Sequence, residues 1–465
     1  MAIVAKIVQG GGTLVDFTDG TNFALVSLDY SVKPDERGVV AHHAVIDVLG
    51  ASNDAVAQNL IALHQAILNA KNNFARWKRG QSYTPIYFQT KLPNGTYTVQ
   101  AEMFGDWNDT LEDLLTAPIL SNLIENVSIP LLCRPYFEET ARVAISGSPF
   151  TVSNNGGSLA IPNTLRGDLP APLYVKTRTA MANADRVILA LRGDATVANF
   201  VAKYEAESAA VLGSGVALAA DATMSPGSGN SIAQWTPGVT TEQGLIGVTI
   251  TTNLVDKLGK FRLLAAVKDE AAALNTKIRG RMGLYTGAYS TIGGAQMYGD
   301  WGDVAKYALA VSTRALIDCG VVSPPDTGGA AVAGGMVIEI YGTATATGAT
   351  KKFDLDTIYL LPCYEGGDES GYIVASYPTA LGTSAQPDGV VNAHDRVRRA
   401  YLVNGSEVMV LPATDINGKD LFVFPARAQN LYVMTAKQSN GNHDWNVNQT
   451  VTCEYTPRYR VFRGN

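Results

Sequence analysis

From near its start to its last ten residues, the chain is built of short runs in which apolar and polar residues alternate, cut by Gly, Asn, Asp and Pro. Alternation of period two places successive side chains on opposite faces of an extended strand, so such runs fold as antiparallel sheets with one covered face. Residues 12–30 show the pattern. Thr13 to Phe17 and Phe23 to Leu28 flank Asp19-Gly20, and Asp-Gly between two apolar runs predicts a hairpin. The run Gly10-Gly11-Gly12 precedes a strand and not a helix. It therefore reads as a flexible turn, without the helix N-terminus that holds a phosphate.

One segment departs from this period. After Ser52, a helix-capping residue type, apolar side chains fall at Val56, Leu60, Leu63, Ile67 and Phe74, with Ala55, Ala57, Ala62 and Ala66 among them. That spacing predicts one amphipathic helix ending between Trp77 and Gly80. A shorter helix or turn is expected over Asp109 to Leu115. Strands are expected at Thr84 to Gln89, at Thr96 to Gln100 after a Pro93-Asn94-Gly95 turn, and at Asn126 to Pro135. The last of these puts Val127, Ile129, Leu131 and Cys133 on one face. The first part of the chain thus reads as an N-terminal β-sandwich crossed by one helix, since the helix must bury its stripe on a sheet.

From Ala141 onward the pattern is nearly all β. Strand candidates include Leu173–Lys176, Val187–Ala190, Ile246–Thr251, Gly259–Val267, Lys277–Leu284, Ala305–Val311, Met336–Tyr341, Thr357–Leu361, Leu431–Thr435 and Val447–Tyr455. Their number and spacing suit a jelly-roll β-sandwich followed by a C-terminal β segment. The expected organisation is 1–140, an N-terminal domain; 141–203, a linking β segment; 204–365, the jelly roll; and 366–465, a segment packing back on the core. A chain of 465 residues, 46% of them hydrophobic, is long enough for two or three cores.

Several function classes lose support. Lys and Arg number 36 against 42 Asp and Glu, a net charge of −6, so the basic excess of a nucleic-acid binder is missing. Cys133, Cys319, Cys363 and Cys453 lie far apart and read as buried free thiols, not as a zinc site. His42 and His43, being adjacent, point to opposite faces. No apolar run reaches the roughly 20 residues of a membrane span. The start alternates like a strand and has no signal-peptide core. The chain is expected to be made in a cytoplasm and not to insert into a membrane. No G-x-S-x-G, P-loop, H-E-x-x-H or G-x-G-x-x-G occurs, and Glu138-Glu139 reads as a solvated pair and not as a glycosidase pair. A non-enzymatic role is the expectation.

The segment Tyr204-Glu205-Ala206-Glu207-Ser208 carries the one candidate site. In an extended strand Glu205 and Glu207 share a face, and two carboxylates one strand-step apart repel unless a cation lies between them. The competing reading is an edge strand with two solvated glutamates. The segment resembles the opening strand of jelly-roll carbohydrate-binding modules that begin Glu-Ala-Glu. That resemblance implies a structural Ca²⁺ held by Glu205, Glu207 and Asp356, the last in Phe353 to Leu360. Trp235, Trp301, Tyr285 and Tyr298 are candidate platforms for stacking on a sugar, with a core or interface role as the competing reading.

A second resemblance covers most of the chain. The helix ending Phe74-Ala75-Arg76-Trp77-Lys78-Arg79 is followed by Thr84-Pro85-Ile86-Tyr87-Phe88-Gln89, Gly105-Asp106-Trp107, and Ser128 to Phe137 with its Arg134-Pro135-Tyr136-Phe137 end. Then come Ile161 to Leu173, containing Gly167-Asp168-Leu169-Pro170-Ala171-Pro172, and the closing Val451 to Tyr459 with Tyr455, Pro457, Arg458 and Tyr459. In this order the segments resemble distal tail and baseplate ring proteins of long-tailed bacteriophages, with an inserted sandwich that the simplest members lack. The resemblance implies a structural protein of the virion tail. Such a protein forms a homo-oligomeric ring, often sixfold, joining the tail tube to the tip or hub complex. The alternative is a glycan-binding adhesion module of the virion.

Overall fold

The computed structural model describes residues 4–31, 33–35, 38–91, 97–107, 119, 121–152, 156–179, 186–192, 203–221, 231–250, 261–269, 276–284, 293–298, 302–303, 313–322, 336–362, 371–377, 381, 388–394, 399–403, 409–412, 415–418, 421–439, 442–444 and 449–460. The chain is mainly β, built of antiparallel sheets with one long helix. Two compact units divide it: Met1–Val143 with Arg166–Ala171 and Thr456–Asn465, and Ala144–Leu165 with Pro172–Tyr455. The turns expected at 93–95 and the helix expected over 109–115 lie outside the described residues, as do Cys363 and the strand candidate 305–311.

In the first unit, β1 (Ala5–Gln9), β2 (Gly12–Asp16), β5 (Ile86–Lys91), β6 (Thr98–Glu102) and β8 (Phe137–Glu139) belong to a six-stranded sheet in the order β2-β1-β5-β6-β8, closed by the strand Arg458–Tyr459. A three-stranded sheet holds β3 (Phe23–Asp29), β4 (Val40–Leu49) and β7 (Leu123–Cys133) in the order β3-β4-β7, and α1 spans Asn53–Lys78. The Ser52 hydroxyl accepts the Ala55 N–H at 3.2 Å, so an otherwise orphaned first-turn donor is satisfied. Val56, Leu60, Leu63 and Ile67 share one core with Ile7 and Phe88 of the large sheet and Ile46 and Ile129 of the small one. The helix thus buries its stripe as its spacing predicts. Among the described residues, no helix is long and apolar enough to cross a membrane.

The first hairpin is not where Asp19-Gly20 placed it. Strand β2 pairs with β1, with Gln9 opposite Gly12, and the turn between them is Gly10-Gly11, at φ +58° and +85°. Two positive φ values are what a hairpin turn matched to strand twist requires, and glycine reaches them without steric cost. Asp19 makes a corner between the two sheets. Its Oδ1 accepts the N–H groups of Thr21, Asn22 and Phe23 at 2.8, 2.8 and 3.0 Å. A carboxylate that satisfies three successive backbone donors competes with hairpin pairing, and here it prevails.

Glu138 and Glu139, expected in solvent, are buried. Glu138 stands opposite Arg458 in the sheet. Glu139 accepts the Tyr459 hydroxyl at 2.6 Å and pairs with Arg166 at 3.2 Å. Burial of Glu139 is possible because a guanidinium and a hydroxyl from far along the chain meet its carboxylate. The same strand end is held from above: the N–H groups of Asp168 and Leu169 donate to the Arg458 carbonyl at 2.9 and 3.2 Å.

The second unit nests one sandwich within another pair of sheets. Ala171–Thr179 pairs with Gln449–Tyr455 on one side and Asp388–Asn392 on the other. Arg186–Arg192 lies between Gly371–Ser376 and Gln429–Ser439. The strands of this host pair therefore come from before residue 193 and after residue 370. Between these stretches lies an inserted sandwich. One of its sheets holds Val216–Ala220, Ser231–Trp235, Phe353–Pro362, Phe261–Asp269 and Thr313–Val322; the other holds Ala210–Val211, Gln243–Ile250, Met336–Thr343, Lys277–Leu284 and Gly293–Tyr298. Trp235, Phe261, Leu263, Phe353, Leu355 and Ile358 from the first meet Ile246, Ile278, Met282, Ile338 and Ile340 from the second in one core. Cys319 and Cys453 here, and Cys133 in the first unit, are buried free thiols. Burial pushes all three up, away from the reactive thiolate.

Candidate metal centre

Glu205, Glu207 and Asp356 come together, each offering a carboxylate oxygen with all three oxygens within 4.8 Å of one another. The local route differs from the expected one. The strand Lys203–Glu205 stops at Glu205, and Ala206–Ser208 is a turn of 3₁₀ helix. The extended-strand reading, with Glu205 and Glu207 on one face at period two, is therefore corrected. What brings Glu207 back is a tight turn anchored by Ala206, which is fully buried in the sandwich core.

Asp356 is placed by an irregularity in Phe353–Pro362. Along one edge of this strand, Glu205 stands opposite Thr357 and Ala233 opposite Leu355, so the partner strand changes at Asp356. Along the other edge, Ala266 faces Thr357 and Val267 faces Leu355, and the ladder skips Asp356. Leu355 and Ile358 both point into the core although they are three apart. A regular strand cannot do this, and a bulge supplies the extra residue. The bulge leaves Asp356 and Thr357 on the face away from the core. The Thr357 hydroxyl donates to Glu205 Oε2 at 2.9 Å.

The donor set tests well against a hard cation. All three donors are carboxylates, the ligand type that suits Ca²⁺, Mg²⁺ and Mn²⁺ and not the softer metals. Calcium binds oxygens at about 2.3–2.6 Å, so two oxygens on one ion stand at most about 5.2 Å apart. The 4.8 Å limit here lies within that span. Asp356 is fully buried, and carboxylate oxygens gathered this closely are the donors a hard cation takes. Backbone carbonyls and water would complete the six to eight ligands calcium takes.

The proposed sugar platforms fare differently. Trp235 is fully buried and stacks edge-on with Phe353, ring centroids 6.5 Å apart, so it is a core residue. Tyr285 and Trp301 lie outside the described residues, and Tyr298 is placed only by its register opposite Arg281. Sequence reasoning missed another cluster on the outward face of the sheet that holds Met336–Thr343. Arg281 stands opposite Glu339. Its Nε and a terminal nitrogen reach Glu339 Oε2 at 2.9 and 2.7 Å, the Tyr341 hydroxyl donates to the same oxygen, and the guanidinium lies 4.7 Å over the Tyr341 ring. Glu339 is fully buried. Beside them Arg279 pairs with Glu242 at 2.5 Å. The only signal was alternation, Arg279-Gly280-Arg281 and Glu339-Ile340-Tyr341, and alternation does not say which strands are neighbours.

No protein-family model matches the chain, and no curated protein matches it. Among solved structures, it is similar to the tandem CBM22 domains of Xyn10C from Paenibacillus barcinonensis at 10% identity, covering 59% of this chain and 99% of that one, with a TM-score of 0.23. It is also similar to the VP2 subviral particle of infectious bursal disease virus, at 7% identity over 68% and 78% of the two chains with a TM-score of 0.18. Lectin II from Ulex europaeus follows at 8% identity, 55% and 98% coverage and a TM-score of 0.12. Likenesses this slight carry no argument about what the chain does.

Proposed function

We propose that the chain is a non-enzymatic structural protein of a bacteriophage tail, a distal tail or baseplate ring component that joins the tail tube to the tip complex. The observation that carries the reading is a convergence. Arg134 to Phe137, Gly167-Asp168 and Arg458-Tyr459 are the scattered segments on which the family resemblance rests, and in the first unit they meet at one end of one sheet. That segments more than 300 residues apart close one domain supports reading them as one set and not as a scatter of short motifs. The outer side of α1 suits a covered surface. Between Asp54 and Lys71 the helix carries no Asp, Glu, Lys or Arg, and Gln58, Ile61, Ala62 and Gln65 are exposed there. A ring closes by a heterologous contact repeated around an axis, and an uncharged face is cheap to desolvate in one. Mass photometry and electron microscopy of the purified chain test the assembly: six copies in a closed ring are expected, and a monomer at every concentration refutes it.

A second reading, glycan binding by the inserted sandwich, is supported by the Arg281, Glu339 and Tyr341 cluster. The half-buried Tyr341 ring suits a sugar ring, and the partly exposed Arg279–Glu242 pair beside it suits sugar hydroxyls. Binding to an array of bacterial surface glycans that is lost in Tyr341→Ala favours it. Absence of any bound glycan refutes it.

A further inference from the structure

One side of the inserted sandwich carries no charge. The strand Ala210–Val211 edges one of its sheets and Val216–Ala220 edges the other, and residues 212–215 carry the chain between them. From Ala209 to Ala220 the sequence holds no Asp, Glu, Lys or Arg, and Asp221, the next residue, pairs with Lys268 at 2.5 Å. Leu218, 54% exposed, is the most exposed large apolar side chain among the described residues, and Val211 on the other edge is exposed too. Val216 packs on the insert core and Ala219 on the cluster that joins insert and host, so the strand is anchored while its outer side is bare. Exposed edge strands are ordinarily blunted by a charge, a proline or a bulge. Val216–Ala220 has none of these, and its register with Ser231–Trp235 runs without a shift.

The backbone of this edge says what fits it. The Thr236 N–H donates to the Gly215 carbonyl at 2.8 Å, one step before Val216 stands opposite Trp235. Bonded and non-bonded pairs alternate along an antiparallel ladder. Ala217 and Ala219 therefore direct their N–H and C=O groups to Ser231–Trp235, while Val216, Leu218 and Ala220 turn theirs outward. We propose that this edge pairs antiparallel with the same edge of a second copy of the chain, about a twofold axis at Leu218. In that register Leu218 stands opposite the partner's Leu218 and Val216 opposite the partner's Ala220. Each outward N–H meets an outward carbonyl, about six backbone hydrogen bonds in all. No other register of the edge on itself uses all three outward residues, and every side chain brought together is apolar. A twofold contact is isologous and cannot relate neighbours around a sixfold axis, so the pairing goes beyond the proposed ring and does not rest on it. In a ring-forming chain it joins two rings. A contact this short is weak between single copies and gains strength where facing rings repeat it.

The test is sedimentation velocity of the full chain over a concentration series reaching about 100 μM, a range in which weak pairs form. The smallest species, a ring or a single copy, is expected to double in mass as concentration rises. Leu218→Lys places a charge on each side of the twofold axis, on a side chain already half in water, and should raise the midpoint of doubling on the order of 10-fold or more, since like charges directly opposite repel. The smallest species should keep its mass. Leu218→Cys reports the register: residues opposite in a bonded pair have α-carbons about 5.5 Å apart, within disulfide reach. Mild oxidation should therefore link two copies through position 218, while Val239→Cys, on an exposed loop position nearby, should not. No doubling in the parent overturns the proposal, as does doubling that Leu218→Lys leaves unchanged or oxidation that links Val239→Cys as readily as Leu218→Cys. Loss of the ring with the doubling intact would overturn the ring reading and leave the paired edge standing.

Discussion

Gly167 lies against the backbone of Arg458 so closely that a β-carbon on it would come within 2.6 Å of the Arg458 carbonyl oxygen. Its φ is +100°, a conformation that L side chains rarely adopt. The position joins the two segments that close the first unit, and it is glycine for two independent reasons. Gly167→Ala should therefore destabilise the first unit by roughly 1–3 kcal/mol. Calorimetry that finds the variant as stable as the parent would show that the closing strand is dispensable.

Leu63 is fully buried in the middle of the α1 stripe. Leu63→Ala should cost about 2–5 kcal/mol, because the helix is packed on both sheets and the cavity cannot easily collapse. Ile61→Ala, two residues away on the exposed side of the helix, should cost less than about 0.5 kcal/mol in the isolated chain. Equal costs for the two would place the helix stripe in the wrong orientation.

How much of this was legible depends on the distance over which a signal acts. Helix α1 was readable because its stripe and its Ser52 cap are local. Most strands were readable for the same reason, Lys277–Leu284 to the residue. The hairpin at Asp19-Gly20 failed because the rule scores the turn dipeptide alone. The side chain of Asp19 closed a corner instead, and Gly10-Gly11 made the hairpin. The meeting of Glu205, Glu207 and Asp356 was implied by the resemblance to carbohydrate-binding modules that begin Glu-Ala-Glu, but its geometry was not. A 3₁₀ turn and a bulge are set by the partner change along Phe353–Pro362, which no local pattern encodes. The pairing of Arg281 with Glu339, and of Glu139 with Arg166 and Tyr459, depends on strand order and lay beyond any local reading.

The His42 imidazole gives the fold a pH dependence. It is almost fully buried among Tyr30, Phe88 and Phe137, its Nδ1 accepts the Ser31 N–H at 3.1 Å, and its Nε2 makes no hydrogen bond. Burial, and then His43, push its pKa down to about 4 from the usual 6.5. The unfolded chain thus takes up this proton first as pH falls. Stability is fully present above pH 6.5 and is lost on going down through pH 4, by roughly 3 kcal/mol in all. His42→Phe should flatten the slope of stability between pH 6.5 and 4. An unchanged slope would assign that acid sensitivity to carboxylates.

Arg281 and Glu339 are a buried pair, with side chains 11% and 0% exposed. Arg281→Ala leaves a carboxylate in the sheet face without its guanidinium and should cost roughly 3–5 kcal/mol. Adding Glu339→Gln should recover most of the loss. Denaturant unfolding of the single and double variants measures the coupling, and additive costs would mean that the two groups act separately.

The account stands most directly on the state of assembly. A reconstruction of the purified full chain, or of tails that contain it, should show a closed ring of six copies, with residues 1–140 around the lumen and the inserted sandwich projecting outward. A monomer in solution, or a particle in which residues 1–140 face away from the lumen, would contradict it.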